Sequence, residues 1–459
     1  MLHPDRLFSS DPQQRAVARE LYAAVADLPI ISPHGHTDPT WFADNRPFAN
    51  ATQLLVQPDH YLLRMLYSQG IAMESLIGGA ADPPTVWQLF AENYHLFRGT
   101  PTQLWMDHVF VEVFGLEENF GTDNAQAFYS EINRQLATDA CLPRALFERF
   151  NIEVIATTES PLDPLDAHRS LAADEWPGRV ITAFRPDPVV DPEFEGFAQN
   201  VEQLASVSGV ACDSWAGYLE ALRERRAFFA SLGATTTDHG HPTAFTADLT
   251  RQRCERLYAG ALAGTLSAQE AELFRGQMLL EMALMSLDDG LVMQIHPGVH
   301  RNHNPQLFAR YGRDKGADIP VAGEYVRNLK ALLDRLGNDP TFTLILFTLD
   351  ETTYARELAP LAGHYPAVKL GPAWWFHDSP EGMLRYRQQV TETAGFYNTV
   401  GFNDDTRAFL SIPARHDVAR RMDAACLAEM VADHRLEEDE ALELAVDLAY
   451  HLVKQAYRL

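Results

Sequence analysis

The chain has 459 residues and a formal net charge of −26, from 63 acidic against 37 basic side chains. That excess of negative charge argues against nucleic acid or an anionic membrane surface as a partner, and any anionic ligand would need a local cluster of arginine or lysine. Hydrophobic residues make up 46% of the chain, enough for a large core, and no apolar run approaches the ~20 residues of a membrane span.

The four cysteines, Cys141, Cys212, Cys254 and Cys426, are scattered and form no C-x-x-C pair. They read as reduced, buried thiols. The segment Met1 to Glu20 is polar and acidic, with no signal-peptide core. A cytoplasmic protein is therefore expected.

Asp11 to Ala26 reads as a helix, with Ala18, Leu21, Tyr22 and Val25 on one stripe. A short apolar run, Leu28 to Ser32, then leads into Pro33-His34-Gly35-His36. On an extended strand alternate residues share a face, so His34 and His36 point the same way and can share one metal ion.

From Phe42 to Leu142 apolar residues recur at three- and four-residue steps, the pattern of amphipathic helices. A helical insertion over 42–143 is expected, between an N-terminal segment of residues 1–41 and the remainder, 144–459. Strand candidates follow at Ile152–Thr158, Val180–Pro186, Gly233–Thr237, Leu291–His296, Phe342–Thr348, Ala367–Phe376 and Thr399–Asn403. Helical segments alternate with them, among them Val201–Leu232 with a break near Ser208–Asp213, Val321–Leu336 and Arg415–Ala432. With the His34/His36 strand this makes eight β/α units, which predicts an α/β fold, a (β/α)8 barrel. A doubly wound open sheet is the rival, but no Gly-rich phosphate loop follows the first strand.

In such a barrel the chemistry sits at the C-terminal strand ends. Those ends carry His34 and His36, Thr157-Thr158-Glu159, Arg185-Pro186-Asp187, Asp238-His239-Gly240-His241, His296 with Arg301-Asn302, Trp374-Trp375-Phe376-His377, and Asp404-Asp405-Thr406-Arg407. Each alone reads as a polar turn. Together they crowd ionisable groups onto one end of the barrel.

An H-x-H at the first strand, a histidine at the fifth and an aspartate at the eighth resemble the amidohydrolase superfamily of metal-dependent barrels. Longer stretches resemble one family within it, the uronate isomerases. These are Asp59-His60-Tyr61-x-x-Arg64, Thr157 to Asp163, Phe184-Arg185-Pro186-Asp187, Gln294-Ile295-His296, Trp374 to Asp378, and Asp405-Thr406-Arg407-Ala408-Phe409-Leu410-Ser411 leading to Arg415-His416 and Arg420-Arg421. The matches span residues 34 to 421. The chain departs from the family pattern at Ser160, over Leu346–Ala355, and at Gly35 with Thr37-Asp38-Pro39.

The resemblance implies an aldose–ketose isomerase that interconverts D-glucuronate with D-fructuronate and D-galacturonate with D-tagaturonate. It implies one divalent metal ion on His34, His36 and Asp405, with zinc preferred and manganese or iron as alternatives. Asp405 and Arg407 lie two apart on an expected strand, so a carboxylate beside a guanidinium can move a proton with its charge balanced. His60 and Tyr61 are implied as proton-transfer or orienting groups.

Arg185 is the first choice to grip the substrate carboxylate through a bidentate fork, then Arg415 and Arg301. Trp374 and Trp375 would wall the pocket. His296 would contact either the metal or a sugar hydroxyl, and Asp238 and His239 would orient a ligand from behind. The expected partner is a hexuronate, and a homo-oligomer is expected from the exposed barrel helices. Two other readings keep part of this set: a metal-dependent hydrolase of the same superfamily, and a non-catalytic sugar-acid binding protein.

Overall fold

The structure is a computed structural model that describes residues 2–79 and 81–459. Its centre is a curled parallel sheet. The strands are β1 (Ile30–Ser32), β2 (Ile152–Glu159), β3 (Arg179–Phe184), β4 (Thr236–His239), β5 (Val292–Ile295), β6 (Val299–His300), β7 (Ile319–Pro320), β8 (Leu344–Leu346) and β9 (Val368–Leu370). Seven pair in the order β1-β2-β3-β4-β5-β8-β9, all parallel, while β6 and β7 form a separate antiparallel ribbon.

Both sheet faces are buried, as parallel sheets require. Ile31, Val154, Ala156, Ile181, Val292 and Ile345 share one apolar cluster inside the curl. Phe184, Met293, Ile295, Leu344 and Leu346 pack outward in a second cluster with the flanking helices. The helices start on legible caps. Asp11 accepts from the Gln13 and Gln14 N–H groups ahead of Pro12–Val25, and Ser267 with Glu270 makes a capping box ahead of Ala268–Asp289, which ends on left-handed Gly290.

The expected eighth strand, Thr399–Asn403, is irregular. The Leu370 N–H donates to the Asn398 carbonyl (2.9 Å), the Val400 N–H donates to Leu370 (3.1 Å), and the His36 N–H donates to Thr406 (3.0 Å). Those bonds bring the chain after β1 and the edge at β9 to one shared segment. Regular extension stops there because Asp405 has φ 36° and Gly401 φ 74°.

Other differences have local causes. The strand expected over Ala367–Phe376 ends at Leu370, because Gly371 packs on Phe347 so closely that a Cβ would sit 2.4 Å from its ring and Pro372 offers no N–H to a ladder. The helix expected over Val321–Leu336 begins only at Lys330. Upstream of it, the Glu357 carboxylate takes the N–H groups of Tyr325 (2.6 Å) and Val326 (3.3 Å). The break expected near Ser208–Asp213 separates helices Phe197–Ser208 and Trp215–Ser231.

Between Phe42 and Phe147 the described residues form helices and no strand. Trp87, Phe90, Phe110 and Phe120 build an aromatic core there that runs on into Ile152, Ile155, Phe409 and Leu410 of the sheet side. The helix His60–Ser68, capped by Asp59, points its N-terminus at the C-terminal end of the sheet.

Gly35 sits where the two edges meet. A Cβ there would lie 3.3 Å from the Thr406 carbonyl and 3.6 Å from that of Ala156. Gly35→Ala is therefore expected to lower Tm slightly, because the Thr406 carbonyl must give way, and Gly35→Val to cost more, ~1–3 kcal/mol by overpacking. Equal Tm values for the two variants would remove this closure from the account.

Candidate active site

A cavity of about 970 Å³ opens at the C-terminal ends of the strands. It is lined by His34, His36, Arg185, Asp238, His296, Arg301, Trp374, Trp375, Asp405, Arg407 and Arg415, and by His60 and Tyr61 from the helical segment. Of the residues given a catalytic, substrate, metal or orienting role from the sequence, only His239 is absent from this wall.

β1 ends at Ser32, so His34 and His36 follow it on a non-strand segment, pinned where the Thr158 hydroxyl donates to the Gly35 carbonyl (2.8 Å). They still face one point. His36 Nε2 is 3.2 Å and His34 Nε2 3.6 Å from the same Asp405 oxygen, Oδ1. The other Asp405 oxygen accepts the Trp374 indole N–H (2.5 Å).

Asp238 sits behind this group. His296 Nδ1 donates to its Oδ1 (2.7 Å), and Arg185 approaches its Oδ2 (3.1 Å). A carboxylate only accepts, so His296 Nδ1 carries the proton of that bond and its Nε2 is turned to the other side of the ring. That nitrogen and Asp405 Oδ1 are buried without a hydrogen-bond partner. His34, His296 and Asp405 each offer a ligand atom within 4.8 Å of the others. Two or three imidazoles and one carboxylate, with buried ligand atoms that have no partner among the described residues, fit a zinc-class divalent ion.

The electrostatics agree with that donor set. Burial lowers the His34 pKa to about 4, despite Asp238 and Asp405. Burial acts to raise Asp405, but His34 and His36 hold it well below the usual carboxylate range. Asp238 is likewise opposed by burial and held ionised by Arg185, His296 and His34.

Several expected pairings differ. Arg407 does not pair with Asp405: its guanidinium reaches Asp314 (2.9 Å) on the loop between the helix Pro305–Tyr311 and β7. Strand alternation fails there because Asp405 lies in the left-handed region. Arg415 is buried, ion-paired with Asp378 and stacked 3.6 Å over Trp105. Its fork is therefore engaged in joining the helical segment to the sheet. Arg301 pairs with Asp318 (3.1 Å) and lies 5.0 Å over Trp375. His239 turns out of the pocket, its Nε2 3.1 Å from the Thr237 hydroxyl.

Tyr61 donates to the Trp375 carbonyl (3.0 Å), and the His60 ring stacks on Tyr61 at 4.5 Å. Burial, then Arg407, lowers the His60 pKa to about 3, so it is neutral. Asp187, Asp314, Asp318 and Asp378 were not assigned from sequence. Asp187 and Asp378 stand inside recognisable motifs, whereas Asp314 pairs with an arginine 93 residues away and carries no local signal.

With this geometry in hand, comparison with known proteins is decisive. The sequence profile of the glucuronate isomerase family matches residues 11–457. The chain belongs to the glucuronate isomerase family. It is 66% identical over 459 residues to a uronate isomerase of Rhizorhabdus wittichii, covering 100% of this chain and 98% of the relative. It is 64% identical over 465 residues to one of Xanthomonas euvesicatoria, again covering 100% and 98%. The crystal structure of glucuronate isomerase from Caulobacter crescentus superposes with a TM-score of 0.99 at 61% identity, covering 100% of this chain and 97% of that one. The uronate isomerase of Thermotoga maritima does so at 0.94 and 25% identity, covering 100% and 99%.

Glu159 ends β2 at the cavity rim, with its side chain 10% exposed. Burial raises its pKa to about 7, against the hydrogen bonds of Thr182 and Thr157. The folded state then keeps this proton between pH 4.5 and 7, where the unfolded chain, with an ordinary value of 4.5, has lost it. The contribution to stability is complete below pH 4.5 and is lost as pH rises through 7. Glu159→Gln is expected to flatten this part of the Tm profile, by ~1–3 kcal/mol across the window. Parallel profiles for variant and parent would contradict the raised pKa.

Proposed function

We propose that the chain interconverts D-glucuronate with D-fructuronate, and D-galacturonate with D-tagaturonate, in this cavity. The observation that carries the reading is the convergence of His34, His36 and Asp405 on one point, with the Arg185 guanidinium in the same cavity. Full-length identity of 62–66% to uronate isomerases supports it over the hydrolase and the non-catalytic alternatives.

The reaction moves a proton between C2 and C1 of an open-chain sugar acid and must hold a carboxylate five bonds away. More carboxylates than guanidiniums line the cavity, and Arg185, Arg301, Arg407 and Arg415 each already face an acidic partner. Arg313, which also lines the cavity, stacks instead on Phe194 (4.4 Å) and lies at its outer wall, so an anionic substrate at the histidine end is favoured by a further positive charge there. A divalent ion on His34, His36 and Asp405, with zinc preferred, would supply that charge, polarise the sugar carbonyl and lower the pKa of a hydroxyl.

The remaining work falls to the chain. Arg185 is held by Asp187 (3.0 Å) and Asp238 (3.1 Å), which fix its orientation before substrate arrives and leave guanidinium hydrogens to grip a carboxylate. Asp405, whose carboxylate faces the point where His34 and His36 converge, is placed to guide the migrating proton between C2 and C1. Neutral His60, next to Tyr61, suits transfer to or from a sugar oxygen. Trp374 and Trp375 wall the sugar and keep water from the enediol. Residues 42–143 act as a cap, because His60 and Tyr61 come from them.

Ketose formation from either hexuronate, followed by coupled reduction, tests the activity; no ketose from both substrates with zinc or manganese supplied would overturn it. For the grip, Arg185→Lys keeps the charge that Asp187 and Asp238 require but loses the fork. It should raise KM by roughly 10–100-fold. An unchanged KM would move the carboxylate to another arginine. Asp405→Asn should abolish turnover while the protein stays folded; near-parental kcat would take Asp405 out of the mechanism.

A further inference from the structure

The segment after β4 repeats the pattern that follows β1: His239-Gly240-His241 beside His34-Gly35-His36. The active-site reading leaves it unused. His239 and His241 do not line the cavity, and both are buried, at 0% and 3% exposure. With Asp187, at 8%, they form a second group whose ligand atoms lie within 4.8 Å of one another.

The hydrogen-bond accounting there does not close. His239 Nδ1 and both nitrogens of His241 are buried and have no partner among the described residues. Leaving such groups unpaired costs ~1–3 kcal/mol each, so clustered orphans call for a bound species. Asp187 keeps capacity for a further bond, although its oxygens already accept the Gly240 N–H (3.1 Å) and Arg185 Nε (3.0 Å).

Local charge permits a cation. His241 faces Asp187, Asp191, Glu272 and Arg275, and His239 faces Asp238, Arg226 and Arg185. Every one of these arginines is already matched. Arg226 pairs with Asp289 (2.6 Å), Arg275 with Asp191, Glu193 and Glu272, and Arg185 with Asp187 and Asp238. Burial favours the neutral form of both imidazoles, the form that binds metal.

We propose that Asp187, His239 and His241 form a second metal site, behind the pocket wall, for a zinc-class divalent ion. Two imidazole nitrogens and a carboxylate oxygen are its donor set. It is separate from the His34/His36/Asp405 centre, with no shared ligand. Its consequence is positional. A metal on Asp187 would lock the carboxylate that orients Arg185, so the site would stiffen the proposed substrate grip from behind, as outer partners do around other ligand sites.

The test is metal content of the full chain, stripped by chelator, reloaded with micromolar zinc and desalted. The parent is expected to retain one zinc more per chain than His241→Asn, and His34→Asn is expected to retain the His241-dependent ion. Equal zinc content in the parent and His241→Asn would overturn the site, as would occupancy only at millimolar zinc. This readout is independent of turnover, so failure of the isomerase reading leaves it standing. If His241→Asn does not fold, anomalous diffraction from zinc-loaded parent crystals decides. A peak between Asp187 and the two imidazoles supports the site, and a water there at saturating zinc refutes it.

Discussion

Asp238 is the interaction on which the rest of the site depends. It is 0% exposed, and a carboxylate buried without partners costs several kcal/mol. Its partners are the groups the chemistry needs: His296 at 2.7 Å, Arg185 at 3.1 Å and His34 at 3.9 Å. One buried charge from β4 thus fixes a histidine from β5, an arginine from the end of β3 and a histidine that follows β1. It also fixes a proton on His296 Nδ1 and turns Nε2 toward Asp405 and His34. Asp405 does the same at the other side, held by His34, His36 and Trp374.

The same economy governs the arginines. In a chain of net charge −26, four guanidiniums at the cavity, those of Arg185, Arg301, Arg407 and Arg415, already face carboxylates and cannot be read as free anion receptors. Arg415 is spent on Asp378 and Trp105, and Arg407 on Asp314. Arg185 differs because its two carboxylate partners lie beside and behind it. The pocket is therefore arranged to hold charge in place more than to accumulate it. That favours a metal ion as the group that attracts a sugar acid.

How much of this was legible in the sequence depends on range. The parallel β/α order was readable because strand candidates and helical periodicities alternate from Ile152 onward. The convergence of His34 and His36 was readable from their i, i+2 spacing, although the residues lie past the end of β1. The partner of Arg407 was not readable. Alternation pointed to Asp405, but a left-handed Asp405 turns the chain, and Asp314 arrives on a loop with no signature. The ribbon of β6 and β7 was missed for the same reason, being two residues per strand. His239 was grouped with Asp238 although neighbours on a strand face opposite sides, and on β4 it is Asp238 that faces the cavity.

The most direct measurement is a crystal structure of the Asp405→Asn protein with zinc and D-glucuronate. The account predicts the sugar's carboxylate in a two-bond contact with Arg185, its C1 and C2 oxygens toward His34 and His36, and the tryptophans against its carbon chain. A carboxylate bound at the histidine end, with the C1 oxygen toward Arg185, would contradict it.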